Sequence, residues 1–414
     1  MPRLTRDRTT WLTYAQLGLW GFFLYGFGPV VPLLRDEQGT SAAVAGLHST
    51  GIAVGALAGG ALFAPLARRV GRGRAIWTGL AGVALGVTAL GTLRALPATI
   101  TAVAVIATFG MLVISGVSVV LTDRHGTGAP AALTEANAAC AGMGILAPLV
   151  IGASVDAGWG WRPVMAVEAG LIALVALAAV TFRVRLPDAA PAAAAGDPPA
   201  DTDPPAGARR AAPVAGAARR LPPTYWIAWV LMAVTGSIEV CLSLWTADVL
   251  RSHAGMAAGA ASAAVAAIVC GMFVGRLVGG RFALRYRPVP LLLAALGVSL
   301  AGFALFWVAP VGWLAVAGLV VLGVGNALHY PLAISIALAV AGPAADRAAG
   351  WASYSMGVGF GIAPVALGWV ADGVGPHLAF LLLPGFIAAA ALLAARLGRA
   401  LRPAPAEIRT PTPV

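Results

Sequence analysis

Residues 147–156 read Ala147-Pro148-Leu149-Val150-Ile151-Gly152-Ala153-Ser154-Val155-Asp156, and residues 363–372 read Ala363-Pro364-Val365-Ala366-Leu367-Gly368-Trp369-Val370-Ala371-Asp372. Both spell APxxxGxxxD, 216 residues apart. The same shift carries Gly55, Gly59, Ala67 and Arg69 onto Gly271, Gly275, Ala283 and Arg285 without a gap. Two separate stretches that agree on one register mark an internal duplication. Because the duplicated segments are long apolar runs, the chain reads as a membrane protein made of two parallel repeats.

Composition supports the same class. Hydrophobic residues are 59% and charged residues 10% of the 414, against roughly 25% charged in a soluble domain. All 27 basic residues are Arg, and the formal charge is +11. Such a balance raises nucleic acid as a partner, but the Arg residues sit in short clusters between apolar runs of roughly 20 residues, the length that crosses a hydrocarbon core. The basicity is topological, and no nucleic-acid partner is expected.

Twelve runs are expected to span, at residues 11–34, 44–64, 75–93, 98–121, 131–153, 161–182, 224–246, 257–280, 289–309, 312–340, 346–371 and 376–395. With the N-terminus in the cytoplasm, 22 Arg lie on cytoplasmic segments and four (Arg35, Arg94, Arg162, Arg251) on external ones, with Arg276 inside a span. The excess of basic residues places both termini in the cytoplasm. The first run lacks a small-residue cleavage site and is read as a retained span. The expected organisation is a six-helix bundle over 1–182, a cytoplasmic linker over 183–223, a second bundle over 224–395 and a cytoplasmic tail over 396–414. The linker is rich in Ala, Pro and Arg and is expected to be disordered, having almost no large apolar side chain to bury. Cys140, Cys241 and Cys270 fall within spans without a pairing or metal-binding spacing and read as packing residues.

The loop after the second run, Ala64-Pro65-Leu66-Ala67-Arg68-Arg69-Val70-Gly71-Arg72, with six plus six spans and a long central loop, resembles the major facilitator superfamily over essentially the whole chain. The resemblance implies an all-α membrane fold of two pseudo-symmetric six-helix bundles and a gating role for Arg69, Gly71 and Arg72. The family usually has Gly and Asp where this chain has Ala64 and Arg68, so the acid of a charge relay is absent from that loop. Gly142, Gly144, Pro148 and Gly152 half-match the Gly/Pro-rich fifth span of many antiporters. A small-residue face with a proline also serves as tight packing at a hinge, and Pro364 and Gly368 repeat it. The Arg that many proton-coupled drug antiporters carry in the fourth span has no counterpart in residues 98–121.

Ionisable groups inside a bilayer cost roughly 2.5–3.5 kcal/mol or more at mid-helix, so they are candidates for function. Thr235, Glu239 and Ser243 share a face of span seven, and Asn326, His329 and Tyr330 share a face of span ten. In the resembled fold, spans one, four, seven and ten line a central cavity, which makes these the expected substrate or proton-coupling residues. For His329 the competing reading is a core imidazole satisfied by its neighbours. Glu135 and Asn137, near the cytoplasmic start of span five, are expected to gate, with Glu135 answering Arg69 or Arg72, or else to contact the substrate. Arg276 is grouped with the gating residues, although its long stem also lets it snorkel to the interface. Glu168 in span six is expected to pair with Arg162 or reach the outer interface. Gln16, Tyr25, His48, Ser49, Thr50, Thr108 and Ser115 are secondary candidates.

No nucleotide-binding loop, zinc motif or catalytic triad is present, so the chain is not expected to be an enzyme and no cofactor or metal is implied. The reading is a secondary transporter in the cytoplasmic membrane, acting as a monomer, that moves a small organic solute by alternating access coupled to protons. Proton-driven drug efflux is the alternative, and a transport-dead sensor or scaffold is the alternative of another class.

Overall fold

The computed structural model describes residues 6–186, 221–283, 285–342 and 345–401. Every regular element among them is helical, and twelve helices are long and apolar enough to cross a bilayer. The first half holds α1 (Arg8–Gln38), α2 (Ala42–Val70), α3 (Arg72–Thr92), α4 (Leu96–His125), α5 (Ala129–Asp156) and α6 (Arg162–Thr181). The second holds α7 (Pro223–Ser252), α8 (Ala258–Gly279), α9 (Pro288–Val308), α10 (Gly312–Ala341), α11 (Ala345–Val374) and α12 (Pro376–Ala400). Nearly all of the expected linker and tail lies outside the described residues.

Helix ends follow local chemistry. The Asp7 carboxylate caps α1 by accepting the Thr10 N–H at 2.9 Å, and Ser41 caps α2 through the Val44 N–H at 3.3 Å. Gly39 ends α1 with φ +60°, and Gly71 makes the α2–α3 turn with φ +90°, conformations that suit glycine. Helix α1 runs to Gln38 rather than to 34, because Arg35, Asp36 and Glu37 in its last turns all find ion-pair partners. Helices α8, α10 and α12 are each broken, near Val265, Ala327 and Phe380.

Glycines set the helix packing, and they do so in duplicate. A Cβ on Gly55 or Gly59 of α2 would strike the backbone of Ala104 or Thr108 on α4. A Cβ on Gly271 or Gly275 of α8 would strike Val320 or Val324 on α10, the same residues displaced by 216. Close approach through small residues is how apolar helices gain van der Waals contact where no hydrophobic driving force separates lipid from protein. The repeat in the sequence is therefore a repeat in helix contact.

The two halves meet chiefly at one end of the bundle, the face opposite the start of α1. There Gly152 of α5 packs on Gly259 of α8, and Gly368 of α11 packs on Ala42 and Ala43 of α2, the pairing of Gly368 with Ala43 being that of Gly152 with Gly259 under the 216-residue shift. Gly28 of α1 lies against Ser243 of α7. Toward the face that carries the start of α1 and the end of α12, the halves part and leave cavities between them.

Candidate functional site

The far face is sealed by polar contacts that cross between halves. Arg35 at the end of α1 donates Nη1 and Nη2 to Asp248 of α7 at 2.5 and 2.9 Å, with the Asp248 side chain 5% exposed. Arg251 reaches Asp36 at 2.8 Å. The Asp372 carboxylate at the end of α11 accepts the N–H groups of Ala42 and Ala43 at 2.7 and 3.0 Å, so it caps α2 of the other half. An anion at a helix N-terminus satisfies donors that the helix leaves free and meets the positive end of its dipole. Asp156, its counterpart in the duplicated motif, lies against Gly259 in the first turn of α8.

Pro364 explains a further pair of bonds. Proline has no N–H, so the carbonyl four residues back, that of Phe360, loses its helical donor. Ser49 of α2 donates to that carbonyl at 2.5 Å, and Thr50 donates to the Gly361 carbonyl at 2.6 Å. Irregular backbone is tolerated within a membrane where neighbouring side chains satisfy it again. Trp245 Nε1 donates to the Pro364 carbonyl at 3.2 Å. Residues 147–156 and 363–372 thus act at the seam between the halves.

Beneath the seal lies a chamber. On one side a cavity of about 900 Å³ is lined by Asn137 and Ala141 of α5, Phe273 and Arg276 of α8, and Pro331 and Ser335 of α10. The Arg276 side chain is exposed to this space. It interacts with the Tyr25 hydroxyl of α1 and electrostatically with Glu239 of α7. Glu239 and Tyr330 are half-buried and interact with each other. The ring of Tyr25 fits over Gly144, where a Cβ would collide with it. On the other side a cavity of about 280 Å³ is bounded by Trp20, Ile52, Met111, Tyr330, Met356 and Phe360, from α1, α2, α4, α10 and α11.

The expected residues divide. Asn137 and Arg276 line the larger cavity and Tyr330 the smaller, and Glu239 interacts with both Arg276 and Tyr330. His329 does not join them, for it is 1% exposed and shares a 3.1 Å hydrogen bond with Ser299 of α9 through Nε2. Asn326 is buried and, among the described residues, its amide reaches the Met272 sulfur at 3.7 Å. Thr235 donates to the Met232 carbonyl of its own helix, and Ser243 packs at Gly28. The kink between Asn326 and His329 turns one helical face into two environments.

Two expected pairings are corrected. Glu135 meets neither Arg69 nor Arg72: its carboxylate accepts Arg6 Nε at 2.9 Å and Nη2 at 2.5 Å, and the Tyr14 hydroxyl at 3.0 Å. Arg72 pairs with Asp123 at the end of α4, while Arg69 is exposed. The start of α5 lies beside α1, so the carboxylate finds the N-terminal arginine first. Glu168 does not pair with Arg162. It is fully buried with both oxygens lacking a partner among the described residues, whereas Arg162 bonds to Glu37 and to the carbonyls of Leu90, Gly91 and Leu93.

Sequence reading missed the far-face network. Arg35 and Arg251 counted only toward topology, although the Asp156/Asp372 duplication was a signal that both helix ends do equivalent work. Tyr25 was only a secondary candidate and Trp20 was not singled out, because a lone aromatic in a span is ordinary.

Comparison with known proteins follows this geometry. A profile of the Major Facilitator Superfamily matches residues 17–345 and 249–413. No curated protein matches the sequence. Among solved structures, a bacterial homologue of the human lysosomal transporter Spinster, inward-facing and unoccupied, superposes with a TM-score of 0.73 at 16% identity, covering 97% of this chain and 99% of that one. A mutant of the nucleoside transporter NupG gives 0.74 at 14% identity, covering 95% and 99%. The peptide transporter POT in complex with sulfate gives 0.69 at 15% identity, covering 95% and 94%. At such identities the likeness speaks for the fold.

Proposed function

The chain belongs to the major facilitator superfamily, and from that premise we propose that it moves a small organic solute by alternating access between its halves, coupled to protons through Glu239. The observation that carries this reading is a chamber between the halves, closed at one face by cross-half bonds and open toward the other, with opposite charges from α7 and α8 beside it. Arg276, Tyr25 and Tyr330 are the charged and titratable groups that neighbour Glu239 from α8, α1 and α10. A half-buried carboxyl beside the chamber can exchange its proton with whichever side the chamber opens to, and the nearby guanidinium makes its charge state depend on what else occupies the site. The Arg asymmetry supports termini in the cytoplasm, so the open face is assigned to the cytoplasm and the sealed face to the exterior.

The test is transport by purified protein in vesicles. Glu239→Gln should abolish solute-driven proton movement and concentrative uptake while solute exchange persists, since the amide keeps the shape and loses the titration. Concentrative uptake at the wild-type rate by that variant would remove proton coupling from Glu239.

A further inference from the structure

Most of the ion-paired Arg side chains lie at the two faces, with Glu37, Asp248 and Asp36 on one and Glu135, Asp123 and Asp7 on the other. Arg276 differs. It is exposed to the chamber, and no ion pair within 4 Å among the described residues includes it or Glu239. A guanidinium held by a helix in a cavity is a fixed cation whose planar fork matches a carboxylate with two parallel bonds.

The neighbours of Arg276 add donors. Tyr25 brings a phenolic hydroxyl from α1 to Arg276, and Tyr330 brings one from α10 to Glu239. The buried Trp20 indole borders the smaller cavity and its Nε1–H has no acceptor among the described residues. The rest of that cavity, at about 280 Å³, is apolar and sulfur- or ring-bearing: Ile52, Met111, Met356 and Phe360. One cavity therefore offers a cation, and the other, linked to it through Glu239 and Tyr330, offers a compact apolar pocket.

We infer that the solute is an organic anion, a carboxylate carried on a compact apolar or aromatic body, with its carboxylate on Arg276 and its body in the pocket beside Trp20 and Phe360. This rests on the transport reading above and names the chemical class for the same chamber. A neutral solute leaves the guanidinium with no counter-charge nearer than Glu239, which makes no ion pair with it within 4 Å. A cation meets it with repulsion, since like charges at close range in low dielectric cost several kcal/mol.

Binding to the purified full-length protein in detergent tests the inference without requiring transport. The probes are benzoate, phenylacetate and cyclohexanecarboxylate, compared at equal concentration with the neutral benzamide and the cationic benzylamine. The reading is the rise in melting temperature together with the change in tryptophan fluorescence. At least one carboxylate should stabilise the protein in a saturable manner, with the amide and the amine at least tenfold weaker. Arg276→Ala and Arg276→Gln, judged by unliganded melting temperature to be folded, should each weaken the carboxylate at least tenfold, and Arg276→Lys should recover part of the loss. Stabilisation by benzylamine at or above that by the carboxylates would overturn the inference in favour of a cation held by Glu239. No shift with any carboxylate, or full binding in folded Arg276→Ala, would also overturn it. Saturable carboxylate binding without flux in vesicles would instead remove the transport reading and leave the anion site standing.

Discussion

His329 shares a 3.1 Å hydrogen bond with Ser299 and sits 1% exposed behind α10, away from the Arg276 cavity. Its imidazole ties α10 to α9 just beyond the break in α10 at Ala327. Removing a hydrogen-bonded buried side chain there should cost about 1–3 kcal/mol of stability. His329→Ala is expected to melt several degrees lower than wild type and to keep concentrative uptake, in contrast to Glu239→Gln. Loss of uptake by a His329→Ala protein with an unchanged melting temperature would return the imidazole to the coupling machinery. Glu168 makes the complementary point. A carboxyl in a span was read as pairing with Arg162 or reaching the outer interface, yet Arg162 bonds to Glu37 and to the carbonyls of Leu90, Gly91 and Leu93, and Glu168 lies buried with neither oxygen partnered among the described residues.

At the scale of the element, α11 and α2 form the seam that the duplicated motif builds. Gly368 lets the two helices touch, Pro364 leaves the Phe360 carbonyl for Ser49, and Asp372 caps the N-terminus of α2. Capping of this kind contributes about 0.5–2 kcal/mol, and it exists only while the far face is closed. Asp372→Ala should therefore shift the conformational equilibrium toward the state open at that face by roughly 2- to 30-fold, the same free energy read as a population. A cysteine at Thr246, buried in the far half of α7, in a background without Cys140, Cys241 and Cys270, would report it through faster labelling by an impermeant maleimide from that side. Equal labelling rates in the presence and absence of Asp372 would mean that the cap does not hold the halves together.

For the whole molecule, the orientation in the membrane governs which compartment each state faces. The 22 to four Arg asymmetry predicts that a cysteine at Thr202 labels only from the cytoplasm and one at Gly373 only from the exterior. Labelling of both from one side would break the assignment. The arrangement of charges agrees with two working ends. On the far face, Arg35–Asp248 and Arg251–Asp36 cross between halves, whereas on the terminal face Arg6–Glu135, Arg124–Asp7 and Arg72–Asp123 all stay within the first half. The cross-half pairs must break for the far face to open, and the terminal-face pairs need not.

Much of the fold was legible in the chain by itself. Apolar run length fixes how many helices the bilayer can hold, and the 216-residue repeat fixes that Gly55 and Gly271, or Asp156 and Asp372, do equivalent work. These are properties of one-dimensional pattern, because a bilayer demands internally bonded helices wherever the runs are long enough. Polar positions were legible too, since Glu239 and Tyr330 were singled out by the cost of polar groups in such runs, and the structure sets the two beside each other. Partners were not. Spacing places a residue on a face of its own helix, but which helix meets that face depends on rotation and close approach, set by small residues on both sides and by breaks such as those at Ala327 and Val265. That is why Glu135 went to Arg6 rather than to Arg72, why His329 turned to Ser299 while Tyr330 turned to the chamber, and why only the tertiary structure decided that the far face is the closed one.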